Sequence, residues 1–195
     1  RGTEQMRERD TEKESQADPK AKTEEEVREV AQKCLGGDAD QFLGLMHADK
    51  GLEKAVKNAT VGEIEIAIRA LCRCREKAGA KSPCYIYTFG PEIPGWDHPG
   101  AFHSSDLWFF FETLAKCWRP FTGKHYDLAR QMCNYLAAFV KTGDPNCQDA
   151  DGSEQARWIP WSDAAPSRMT FHETPEQKAC PAGEVMEFLV SREIS

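Results

Sequence analysis

The chain has 195 residues, 40% of them hydrophobic, with 14 glycines, 11 prolines and eight cysteines. This length and composition indicate a globular protein with a buried core and exclude wholesale disorder. The formal net charge is -7, with 25 Lys and Arg against 32 Asp and Glu and no basic block, which argues against nucleic-acid binding. No segment approaches the ~18 apolar residues that a membrane span needs.

Residues 1–22 differ in composition from the rest of the chain. Twelve of these 22 residues are charged, six of each sign, so the segment cannot bury enough apolar surface to offset its ordering entropy. We predict a charged tail or linker, or else a solvent-exposed helix with many charge pairs. Thr23 and Glu26 then have capping-box spacing, and the apolar residues that follow recur at helical intervals until Gly36. The pattern predicts a helix that begins after Thr23.

The next segments predict two helices and one buried strand. Residues 39–46 fit a short helix, and residues 62–78 fit a longer one with an apolar stripe of Ile64, Ala67, Ile68, Leu71 and Cys74. Residues 84–89 are apolar and β-prone on both faces, which is typical of a strand covered on both sides of a sheet.

A loop rich in proline and glycine, residues 90–100, follows the strand and leads to further helices. Residues 107–116 fit a helix that Ser104 or Ser105 could cap. Residues 125–142 have the strongest helical pattern in the chain, ending at Gly143.

The last third of the chain predicts a loop over residues 158–161, a short strand over 168–172 and a closing helix over 183–193. Helices alternating with strands predict an α/β fold. Because one strong strand cannot form a sheet by itself, we expect part of the sheet to come from outside this sequence.

The cysteines predict core thiols rather than a metal site. Eight cysteines are about 4% of the residues, below the density of a disulfide-built scaffold. Cys72 and Cys74 form a Cys-x-Cys pair that a helix would point to different faces, and no second pair stands at ligand spacing. We therefore predict no metal site. Free-thiol usage favours a cytoplasmic location.

His103 is the candidate catalytic residue, because it lies in the loop that follows the buried strand and just before a predicted helix. Chemistry in open α/β sheets gathers beyond the carboxyl ends of strands, and a loop histidine can act as a general base. A capping or surface role is the alternative. The aromatic run over residues 108–111 fits core packing or the wall of a pocket beside His103.

No nucleophile accompanies this candidate base. A serine hydrolase of the α/β type presents its serine in a Gly-x-Ser-x-Gly turn, and none of the nine serines in this sequence has that context.

Several motifs, in order along the chain, resemble those of one enzyme family. They are Tyr-x-Tyr-x-Phe at residues 85–89, Gly-Ala-Phe-His at 100–103 followed by Asp106 and aromatic residues, Thr-Gly-Asp-Pro-Asn at 142–146 and Trp-x-Pro at 158–160. This combination is similar to the C-terminal part of the type-B carboxylesterases, the carboxylesterase/cholinesterase branch of the α/β-hydrolases. The resemblance extends over residues 23–190, so we expect residues 23–195 to form the last sheet strands and flanking helices of that fold.

The resemblance implies a Ser-Glu-His triad in which His103 is the histidine, and because this chemistry requires no cofactor, none is predicted. Asp106 matches the acidic position that supports the histidine loop, while Phe102 and Trp108 would line the substrate pocket. The triad acid lies upstream of the helix that begins after Thr23. Glu4 is the nearest candidate in this sequence, and the acid otherwise precedes Arg1. The serine elbow and the oxyanion-hole glycines belong to the first half of such enzymes.

The resemblance therefore predicts a carboxylic ester hydrolase that acts on a small-molecule ester. This chain would supply the histidine, the N-terminal part of the same enzyme would supply the serine, and the chain alone would be inactive. The alternatives are a non-catalytic, cholinesterase-like binding module or an inactive fragment. A Gly-x-Ser-x-Gly motif in the upstream sequence would favour the enzyme.

Overall fold

The computed structural model describes residues 23–59, 62–148 and 152–194. The predicted tail at residues 1–22 lies outside these ranges. The described residues divide into two compact units, the first comprising those up to residue 74 and from residue 182 onward and the second those from residue 75 to residue 181. In the described ranges the helices and strands are, in chain order, α1 (Glu24–Leu35), α2 (Ala39–Leu45), α3 (Leu52–Ala59), α4 (Glu63–Lys77), β1 (Tyr87–Phe89), α5 (Ser105–Phe110), α6 (Gly123–Thr142), β2 (Ser167–Phe171), β3 (Pro175–Ala179) and α7 (Glu184–Glu193).

Helix α1 begins where the sequence predicts it. The Glu26 amide donates a 3.2 Å hydrogen bond to the Thr23 hydroxyl, and the Thr23 amide donates one of 3.1 Å to the Glu26 carboxylate. This reciprocal pair satisfies two of the amide groups that a helix start leaves without partners. Gly36, with φ of 56°, ends the helix in a conformation that side chains with a Cβ rarely adopt.

The first unit is helical and has its own apolar core, to which α1, α2, α3, α4 and α7 all contribute. The residues that are almost fully buried in it are Val27, Ala31, Leu35, Ala39, Phe42, Met46, Ala55, Ala59, Ile66, Leu189 and Val190. Helix α3 is part of this core although the sequence analysis did not predict it.

Helix α4 has the predicted span but not the predicted buried face. The structure buries Ile66, Arg69, Ala70 and Cys72, whereas every residue of the predicted stripe is exposed. Arg69 is tolerated on the buried face because its guanidinium forms a 2.8 Å ion pair with Glu65 one turn earlier.

The second unit contains a three-stranded sheet in the order β1-β2-β3. Strand β1 runs parallel to β2, with Tyr87 opposite Met169, and β2 runs antiparallel to β3. The predicted strand at residues 84–89 is therefore shorter than expected, the strand predicted over 168–172 is shifted by one residue, and β3 is an additional strand. Strand β3 is mostly polar and partly exposed, which explains why hydrophobic periodicity missed it.

Helix α6 and the sheet together enclose the core of the second unit. Leu128, Met132 and Tyr135 of α6 are buried, but Phe139 and Val140 at the end of the predicted stripe are exposed. The helix predicted over residues 107–116 is instead α5 followed by a short 3₁₀ turn over Leu114–Lys116. None of the helices in the described ranges combines the length and the apolar character that crossing a bilayer would take.

Candidate active site

His103 lies exposed in a tight turn between the loop after β1 and the start of α5. The turn is closed by Ser105, which is fully buried. Its hydroxyl accepts a 3.1 Å hydrogen bond from the Phe102 amide and donates one of 2.6 Å to the Phe102 carbonyl oxygen. Ser104 has a positive φ of 66°, a conformation found more often at functional turns than in regular structure. The backbone thus presents the imidazole to solvent from a fixed turn.

Asp106 connects α5 to β1. Its carboxylate accepts a 2.8 Å hydrogen bond from the Tyr87 hydroxyl. Burial, then this hydrogen bond, then the charge of Asp106 raise the pKa of Tyr87 far above its ordinary value of about 10. Tyr87 therefore remains a neutral hydrogen-bond donor at alkaline pH. Its hydrogen bond to Asp106 links β1 to α5, the helix that follows the His103 turn.

Phe102 and Trp108 lie on either side of the His103 turn and contact each other. Their ring centroids are 5.6 Å apart in an edge-to-face arrangement, and Trp108 also contacts Phe121. Phe102 is 39% exposed. The structure brings together these two residues, which the sequence places at the substrate pocket, but their contact with substrate stays a prediction.

The chain matches the model of the carboxylesterase family over residues 3–189. It belongs to the carboxylesterase family. A comparison with curated proteins finds no match.

Two solved esterases share the fold of this carboxylesterase-family chain. An esterase from Clostridium hathewayi, described as able to hydrolyse aliphatic aromatic polyesters, is 22% identical with a TM-score of 0.50, over 88% of this chain and 32% of that one. The Geobacillus stearothermophilus carboxylesterase EST55 is 20% identical with a TM-score of 0.54, over 85% of this chain and 34% of its own. The chain thus spans about a third of the solved carboxylesterases, and its fold is the predicted C-terminal part of an α/β-hydrolase.

An apolar groove of about 350 Å³ lies in the same unit as the His103 turn of this family member. Phe110 at the end of α5 and Phe111 directly after it line this groove, whereas Phe102, His103 and Trp108 do not. The remaining lining residues come from β1 and the segment before it, from α5 and α6, and from the segments that follow α6, and they are Tyr85, Tyr87, Leu107, Tyr135, Leu136, Phe139, Pro145 and Trp158.

The triad acid of the family is not located by this structure. Glu4, the candidate from the sequence, lies outside the described residues. No hydrogen bond to the His103 ring comes from residues 23–59, 62–148 or 152–194. The described part of the chain also contains no group of three or more His, Cys, Asp or Glu side chains that could hold a metal ion.

Two residues of the second unit, Arg119 and His125, form specific contacts that were not predicted from the sequence. The guanidinium of Arg119 bonds the loop that leads to His103, and His125 accepts a 2.9 Å hydrogen bond at Nδ1 from the Thr122 amide at the start of α6. His125 takes the place that Glu or Gln has in an ordinary capping box. The Thr-x-x-His spacing was the available signal for His125, but Arg119 had no comparable signal.

The Tyr87–Asp106 bond predicts an alkaline loss of stability. With a pKa that is higher in the folded than in the unfolded state, Tyr87 contributes its full stabilisation below pH ~10 and loses it as pH rises further. Tyr87→Phe should lower the free energy of unfolding of the complete enzyme by about 1 kcal/mol at neutral pH and flatten its decline between about pH 9 and 11. Urea unfolding across this pH range measures both effects. Tyr126→Phe is the control, and an unchanged alkaline slope in Tyr87→Phe would contradict the assignment.

Proposed function

We propose that this chain is the histidine-bearing part of a serine carboxylesterase that hydrolyses small-molecule esters. The observation that carries the proposal is the position of His103, an exposed imidazole on a fixed turn beyond β1 in a chain of the carboxylesterase family. A general base must reach the proton that it removes, and an exposed ring on a turn closed by Ser105 is available to a nucleophile from outside the described residues.

In the proposed reaction, the serine of the N-terminal part attacks the ester carbonyl carbon while His103 takes the hydroxyl proton. The tetrahedral intermediate then collapses, the bond between the carbonyl carbon and the alcohol oxygen breaks, and His103 returns the proton to the departing alcohol. A water molecule attacks the acyl-enzyme with His103 again as base. The bond between the acyl carbon and the serine oxygen then breaks, His103 gives the proton to the serine oxygen, and the carboxylic acid leaves.

The carboxylate that orients His103 belongs to the same proposal, with Glu4 as the candidate from this sequence. Asp106 acts indirectly, because its bond to Tyr87 fixes the first turn of α5 behind the histidine. Phe102 and Trp108 would contact the acyl or alcohol group. The serine elbow lies in another part of the polypeptide, so the chain alone is inactive. The free cysteine thiols favour a cytoplasmic location for the enzyme.

A fluorophosphonate label on the complete enzyme tests this function. The activated serine displaces fluoride from phosphorus and becomes covalently labelled, and peptide mass spectrometry then locates it. We expect the label on a serine of a Gly-x-Ser-x-Gly turn outside the present sequence. A label on a serine of this chain would contradict the proposed arrangement, and no label on a folded enzyme would favour the non-catalytic binding module.

A further inference from the structure

Arg119 clamps the loop that carries His103. This residue follows the 3₁₀ turn after α5, and its side chain is only 8% exposed. Its two terminal nitrogens each lie 2.9 Å from a different carboxylate oxygen of Asp97, and Nη1 also donates a 3.0 Å hydrogen bond to the Pro94 carbonyl. A bidentate pair of this kind fixes orientation as well as distance.

The same guanidinium reaches the other end of the loop. Its central carbon lies 5.5 Å from the centre of the Phe102 ring, and Phe102 precedes His103 directly. Ser105 holds the backbone of the same residue, so the contact with the Phe102 ring lies next to the point where the turn is fixed. The Arg119 side chain therefore contacts the chain at residues 94, 97 and 102, all of which precede His103 in the sequence.

Gly95, in the loop before His103, has no side chain, and the Arg119–Asp97 ion pair occupies the space beside it. A Cβ atom built at this glycine would lie 2.4 Å from Nη1 of Arg119 and 2.5 Å from a carboxylate oxygen of Asp97. Any other residue would displace the ion pair. The hydrogen bond from Arg119 also lowers the pKa of Asp97 below its ordinary value, so the pair stays charged across neutral pH.

We propose that Arg119 is a positioning residue for His103, which holds the histidine loop in its productive geometry through Asp97, the Pro94 carbonyl and the Phe102 ring. The proposal rests on the proposed function of His103 as the general base. A displacement of about 1 Å at a catalytic group can cost about 100-fold in rate, so the clamp should affect turnover more than substrate binding.

The test uses the complete enzyme with Arg119→Ala, Arg119→Lys and Asp97→Asn. We expect kcat for p-nitrophenyl acetate to fall by about 100-fold in Arg119→Ala with KM little changed. Lysine should restore little, because an ammonium cannot form the bidentate pair, whereas added ethylguanidinium should restore part of the kcat of Arg119→Ala. Arg130→Ala, which removes a guanidinium paired with Asp127 on the more exposed surface of α6, is the matched control and should keep full activity.

Hydrogen exchange gives a readout that does not depend on activity. The amides of residues 95–98 and 100–104 should exchange faster in Arg119→Ala, while the amides of α6 should keep their protection. Arg119→Ala with wild-type kcat, alongside an inactive His103→Ala enzyme, would overturn the positioning role and leave the proposed function standing. A His103→Ala enzyme that keeps its rate would overturn both. A loss of protection throughout the unit would also overturn the proposal, because Arg119 would then serve general stability.

Discussion

Replacing His103 by alanine in the complete enzyme is expected to lower kcat for p-nitrophenyl acetate by about 10⁴-fold or more. In the proposed reaction His103 is the group that takes the serine proton during attack and returns it to the alcohol, so its removal leaves both steps without a proton carrier. The side chain is exposed and is not part of either core, so we expect the free energy of unfolding to change by no more than about 0.5 kcal/mol. The loss is therefore chemical rather than structural.

A second histidine on the same loop provides the control. His98 is exposed and has a positive φ of 40°, which asparagine also tolerates, so His98→Asn removes an imidazole without straining the backbone. We expect His98→Asn to retain its kcat and its labelling by fluorophosphonate, and His103→Ala to lose both. Esterase activity of His103→Ala at the wild-type rate would show that the base is another group.

Local sequence signals predicted the elements whose ends are fixed by their own residues. The hydrogen bonds that begin α1 form between residues three positions apart, so the Thr23–Glu26 spacing was sufficient. Helix α6 likewise ends at Gly143, whose φ of 79° and hydrogen bond to Phe139 stop the helix as expected.

The buried face of α4 could not be predicted in the same way. Isoleucine occurs at positions 64, 66 and 68, so two stripes of this helix contain apolar residues. The stripe with Ile64 and Ile68 has no charged residue, so it was expected to be buried. The core instead buries the stripe with Ile66 and Arg69, and the ion pair with Glu65 neutralises the charge of Arg69. Which of two apolar stripes is buried depends on the neighbouring elements, and single-sequence periodicity does not contain this information.

The site shows the same division between local and distant information. Phe102, His103 and Asp106 belong to one short motif, so a resemblance to known carboxylesterases was enough to predict roles for them, and these roles stay predictions. Arg119 acts on this motif from the far side of α5 through Asp97, 22 residues earlier in the chain. No periodic pattern links the two, and only the folded loop brings them together.

Replacing Phe171 by alanine should give the largest loss of stability. Phe171 of β2 is fully buried, and its ring centroid lies within about 6 Å of four other aromatic rings, those of Tyr87, Phe110, Tyr135 and Trp158. A cavity at this position removes contacts on several sides that rigid rings cannot easily refill. We expect Phe171→Ala to lower the free energy of unfolding by about 3–5 kcal/mol, a large part of the 5–15 kcal/mol typical of a whole domain.

Urea unfolding of the complete enzyme measures this loss, which should appear as a lower midpoint with an unchanged slope. Phe171→Leu is the graded control, because leucine keeps most of the apolar volume and should cost less than about 1.5 kcal/mol. Equal midpoints for the two variants would contradict the cavity argument.

Phe171 also contacts Tyr87 and Phe110, and its carbonyl accepts a 2.8 Å hydrogen bond from the Gly90 amide at the start of the histidine loop. Phe171→Ala should therefore lower kcat at urea concentrations at which the rest of the enzyme is still folded, because this core supports both ends of the segment that presents His103.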